Sequence, residues 1–199
     1  MSFFEIPELD PPKPWRPSAP WKRAPEHELG VDLPLGLTLV ERDDLRLTLM
    51  GAVVYSTGFA LWLQFLRRAG DLEDVFQSEM DVRMHESQVT EKFLRFGVEF
   101  SDGRQRTNLD EITREGRGAD SHPPAIYLSG QGHGHAHLGG LTAWIWPLPP
   151  PGSLGILTEW PAASVPLIRT EIQTEPIIEA SRRSERFWDD DPRWEDDEE

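Results

Sequence analysis

The chain has 199 residues, a formal net charge of −15 and no cysteine. That length allows one ordinary core, while the charge repels phosphate backbones and anionic membrane surfaces, which disfavours nucleic acid and membrane as partners. Without thiols there is no disulfide, no thiolate nucleophile and no zinc site with sulfur ligands.

The N-terminus, MSFFEIPELDPPKPW, shows no basic start followed by an apolar run, and no stretch nears the ~20 apolar residues of a membrane helix, so a soluble, cytoplasmic protein is expected. Residues 1–34 carry eight prolines and few aliphatics, which reads as an extended arm. The arm contains a loose internal echo, PWRPSAP followed by PWKRAPE, with Trp15 and Trp21 six residues apart. A tryptophan beside a cation on a stiff arm can dock into a groove on a partner, or Trp21 can fold back as a clip on its own domain.

The folded domain is expected over 35–188. In DLRLTLM, Leu45, Leu47 and Leu49 alternate with Arg46 and Thr48, the pattern of a half-buried strand. After the break at Ser56-Thr57-Gly58, the run FALWLQFL places Phe59, Leu61, Leu63 and Phe65 on one face and Ala60, Trp62 and Leu66 on the other. Apolar side chains on both faces mark a central strand or one that touches something else. A buried helix is the other reading of these runs, and their β-branched and aromatic content with breaking glycines favours strand. Residues 70–90 and 108–124 are polar and read as long loops, the first with room for one helical turn. Between them, Leu94, Phe96, Val98 and Phe100 form a strand that turns at Asp102-Gly103. A two-residue turn there sets Glu99 opposite Arg106. AIYL, LTAWIW, GILTEW and VPLIRTEI supply further strands, with PLPPPG as a rigid turn rather than a ligand for an aromatic groove.

Residues 175–188 read as a C-terminal helix, with Thr174 as its cap, Pro176 in its first turn and Ile177, Ala180 and Phe187 on one side. The last eleven residues, DDDPRWEDDEE, hold eight acids and one arginine, a disordered acidic tail around Trp194. Seven or eight short strands and one helix argue for an all-β fold, an antiparallel β-sandwich, with a partly open barrel as the alternative.

In the block WIWPLPPPGSLGILTEWP the sequence resembles a family of actinobacterial proteins whose pattern joins an aromatic strand, the proline run at 147–152 and Glu159-Trp160-Pro161. STGFALWLQFLRR, GVEFSDGRQRTN and the entry at LGVDLPLGLTL fit the same pattern, so the likeness runs from about residue 21 to residue 188. It implies one coherent domain, and it attaches no activity, cofactor or catalytic residue. A glycine-rich stretch belongs to that pattern where this chain has GQGHGHAHLGG, and the histidines do not.

Those histidines raise the sharpest chemical question. On a strand, His133, His135 and His137 would project from one face, and two of them could share a zinc or copper ion with His122 or a carboxylate as third ligand. Five surrounding glycines loosen the backbone, and ordering each residue costs on the order of 1–2 kcal/mol, so a flexible loop without a tight metal site is the reading preferred. Glu159, a carboxylate inside an apolar strand, suits a general acid or base if buried. A tight connection over 161–166 would instead set it opposite Arg169 as a structural ion pair. No G-x-S-x-G, G-x-x-x-x-G-K-[ST] or H-E-x-x-H motif occurs. The sequence is therefore read first as a non-enzymatic interaction or assembly protein. Its contacts would be Trp15, Trp21 and Trp194, with another protein or a second copy of the chain as partner. A metal-binding protein and a carboxylate-dependent hydrolase centred on Glu159 stand as alternatives.

Overall fold

The computed structural model describes residues 17–68, 89–110, 127–135 (main chain) and 137–191. The two long polar loops, the last eight residues of the acidic tail, Trp15, His122 and Trp194 lie outside these or almost entirely so. Two antiparallel sheets form the body, as the alternation of short strands led one to expect. The first has the order β2 (Val31–Glu41), β3 (Leu45–Val54), β4 (Phe59–Arg67), β8 (Leu138–Trp146), β7 (Tyr127–His135). The second has the order β10 (Val165–Gln173), β9 (Ser153–Trp160), β5 (Arg95–Phe100), β6 (Gln105–Thr107). A separate ladder of two residues on each side pairs β1 (Glu28–Leu29) with β11 (Glu185–Arg186), and the helix α1 spans Glu175–Ser181.

The core lies between the two sheets. Leu47, Leu49, Leu61, Leu63 and Phe65 from the first meet Phe96, Val98, Leu154 and Ile156 from the second, all at most 1% exposed. Trp160, fully buried, packs edge-on to Phe65 across the interface at 5.6 Å and donates its indole N–H to the carbonyl of Lys92. Strand β4 is the central strand of its sheet; its Phe59, Leu61, Leu63 and Phe65 face the core, whereas Trp62 and Leu66 on the other face are exposed.

Several local expectations change. Strand β2 begins at Val31, inside the segment read as an arm, and contains Pro34. It tolerates the proline because it is an edge strand, and Gly36 at φ +61° relieves the register shift beside it. The β5–β6 hairpin has a three-residue loop, with Gly103 at φ +86°, so Glu99 faces Gln105 and Arg106 faces Val98. PLPPPG is a crossover between sheets, since β8 is already paired to β4 and β7. Thr174 fastens that crossover: its hydroxyl donates to the carbonyls of Pro150 (2.9 Å) and Gly152 (3.2 Å) and does not cap α1. The helix ends at Ser181 rather than near 188, because the chain then extends to pair with β1. Ile177 and Ala180 are buried as expected, whereas Phe187 lies beyond the helix and is exposed.

Candidate docking surface

The two ends of the domain meet. Glu28 pairs with Arg186 and Leu29 with Glu185, and the Phe187 N–H donates to the carbonyl of His27 at 3.0 Å. The Glu28 carboxylate ties this ladder to the body. It accepts from the Ser56 N–H (3.0 Å) and Ser56 Oγ (2.7 Å) in the β3–β4 turn, and from Ser184 Oγ (3.1 Å). A two-residue ladder is marginal alone, so these charge-assisted bonds account for its position. Burial pushes the nearby Tyr55 hydroxyl above its usual pKa, with the negative charges of Asp32 and Glu28 adding to the effect.

Three large apolar side chains in and beside the ladder are open to solvent. Leu29 is 57% exposed, Phe187 52% and Trp188 66%, and the two aromatic rings lie 6.0 Å apart. On the strand alternation Leu29 and Phe187 share a face, two positions apart along the ladder. A cleft of about 500 Å³ lies at this end of the domain, lined among others by Pro17, Arg23, Pro25, Thr57 and, from the ladder, Glu28 and Arg186, which alternate with Leu29 and Phe187.

The arm that borders this cleft continues onto the outer face of the five-stranded sheet. Trp21 is 2% exposed; its carbonyl accepts from Trp144 Nε1 (3.1 Å), and its ring meets Trp146 edge-on at 5.9 Å. Trp21 is thus an internal clip and does not present its ring to a partner. Gly58 makes room for the arrangement: a Cβ there would stand 2.6 Å from the Ile145 carbonyl and 2.8 Å from the Trp144 ring. Gly58→Ala should therefore cost about 1–3 kcal/mol and expose Trp21, to be read from denaturant titration and tryptophan emission.

The histidine stretch is not a loop along its main chain. Tyr127–His135 is an edge strand whose partner β8 supplies Gly139 and Gly140 opposite Gly134 and His133. The glycine richness that suggested a loop reflects two neighbouring strands. His137 falls after the strand end and is exposed, so the three histidines do not make one strand row. The side chains of His133 and His135 lie outside the described residues, and among those described no group of three His, Cys, Asp or Glu could hold a metal ion.

Glu159 is ion-paired, with Arg95 rather than Arg169. Arg95 stands opposite it in β5, and the two side chains are about one-third exposed. The connection is tighter than 161–166, with Val165 already opposite Trp160, and this sets Arg169 opposite Leu157, two residues short of Glu159. Arg169 bonds instead to Glu99 (3.1 Å) and to Glu171. Sequence reasoning missed Leu29, Phe187 and Trp188 as a surface. The one available signal was RFW at 186–188, which the helix reading absorbed. No helix among the described residues is long and apolar enough to cross a membrane. No family model, curated protein or solved structure matches the chain.

Proposed function

We propose that the chain is a non-enzymatic interaction protein that docks another protein at its paired termini. The observation that carries this reading is the ladder itself. It gathers both ends of the domain at one place and leaves Leu29, Phe187 and Trp188 open to solvent there. Large exposed apolar side chains gathered at one place, aromatics above all, are the usual anchors of a protein contact. The C-terminal flanking segment, which holds Trp194, starts from this same place and would add a short docking element.

The test is cross-linking of the untagged protein in its native cell, followed by mass spectrometry. One dominant partner of different sequence, linked through residues 17–29 or 185–191 and lost in the Trp188→Ala variant, supports the reading. No partner of different sequence, or one held equally well by Trp188→Ala, sinks it. Trp188→Ala is a fair probe because the side chain is two-thirds exposed. Its stability should stay within about 0.5 kcal/mol of the parent in a thermal or denaturant scan.

A further inference from the structure

A second apolar surface lies on the outer face of the five-stranded sheet, away from the ladder. The cross-strand register orders that face. Ala60 lies opposite Trp144, Trp62 opposite Thr142, Gln64 opposite Gly140 and Leu66 opposite Leu138. Core residues Leu141, Ala143 and Ile145 alternate with these, so Trp144, Trp62, Leu66 and Leu138 all share the outer side. Trp144 is covered by Trp21, whereas Trp62 (44%), Leu66 (48%) and Leu138 (44%) are exposed. Trp62 is a diagonal neighbour of Trp144, roughly 7 Å away, so the open surface continues the one the arm already occupies.

The occupant is suggested by the arm. Pro20-Trp21-Lys22 is the second copy of a Pro-Trp-cation unit, and it docks on this face through Trp21. The first copy is Pro14-Trp15-Arg16, whose Trp15 lies outside the described residues. Residues 13–23, KPWRPSAPWKR, hold four cations and no acid in a chain of net −15, so the arm is complementary to the rest of the molecule. Its own face is poorly placed to receive Trp15. Followed back from Trp21, the arm reaches Pro17 and Ser18 in the cleft beside Ser56 and Thr57, the end of the sheet away from Trp62. The three open side chains together present on the order of 300 Å² of apolar surface. A standard interface between folded domains buries ~800 Å² on each partner, so this patch fits a short segment and not a second sandwich packed face to face.

We infer that the face around Trp62, Leu66 and Leu138 receives the Pro14-Trp15-Arg16 unit of a second copy of this chain. Two copies would exchange arms, each cationic arm lying on the partner's acidic body. This surface is separate from the terminal ladder, so either reading can fail while the other stands.

Sedimentation equilibrium of the purified full-length chain over a wide concentration range tests the inference. A reversible dimer is expected, weakened by added salt. Trp15→Ala and Trp62→Thr should each weaken it roughly tenfold or more. An equimolar mixture of the two variants should recover association, because one keeps the face and the other keeps the arm. Leu138→Thr serves as a second face variant if Trp62→Thr lowers the thermal transition. A parent chain that stays monomeric throughout overturns the inference, as does a dimer indifferent to both substitutions. A monomer in which Trp15→Ala increases the solvent quenching of Trp62 would also overturn it, by giving the face to the chain's own arm.

Discussion

Trp160→Ala is expected to lower folding stability by about 3–5 kcal/mol, enough to leave a domain of this size partly unfolded at ambient temperature. The indole is the largest fully buried side chain among the described residues and bridges the two sheets. Its edge meets Phe65 of the first sheet, the Arg67 guanidinium lies 5.9 Å from its ring, and its N–H holds the carbonyl of Lys92. Truncation removes the ring's burial, opens a cavity between two rigid layers and orphans that carbonyl. Urea denaturation measures the loss. A midpoint within experimental scatter of the parent would mean that the sheets are held by something other than this contact. Trp160→Phe should recover a good part of the stability, since it restores most of the volume but not the hydrogen bond.

Asn108→Leu should cost roughly 2–5 kcal/mol although it replaces a polar residue with an apolar one of similar size. Asn108 is 1% exposed, and its amide acts as an extra rung of β5. The oxygen accepts from the Phe96 N–H at 2.9 Å, and the nitrogen donates to the Leu94 carbonyl at 2.8 Å. A leucine leaves both main-chain groups buried without a partner, which costs more than the added apolar burial returns. Hydrogen exchange offers the local readout. The Phe96 amide should lose most of its protection in the variant, while Leu61 and Leu63 in the opposite sheet follow only the global change. Equal protection at Phe96 in both proteins would refute the rung.

The strands were legible wherever one face had to be dry. Leu45, Leu47 and Leu49, and likewise Phe59, Leu61, Leu63 and Phe65, announce their buried faces by period two, and each is at most 1% exposed. Gly103 marked a turn correctly, but the loop length moved Glu99 from Arg106 to Gln105, because one extra residue in a hairpin flips the pairing. Glu159 shows the same limit. Its need for a cation could be read from an acid in an apolar strand, but the choice of Arg95 over Arg169 came from the register of β5 on the other side of β9 and from a turn that closes at Trp160 and Val165. The glycine–histidine stretch misled for a different reason. Glycine weakens a strand locally, and only pairing along the whole of β8 shows that the stretch is one.

The sequence by itself determined the class of the protein: a chain of antiparallel strands around an apolar core, acidic overall, with a cationic proline-tryptophan arm. These are properties of local periodicity and composition, which neighbouring residues dictate without reference to distant ones. Tertiary structure alone decided which strands share a sheet, that the proline run crosses between layers, and that Trp21 is spent inside while Trp62 and Trp188 remain open. Each of those outcomes depends on pairings between residues tens to more than a hundred positions apart. Main-chain hydrogen bonds and shape select among those pairings only once the whole fold has formed, and no local pattern records the choice.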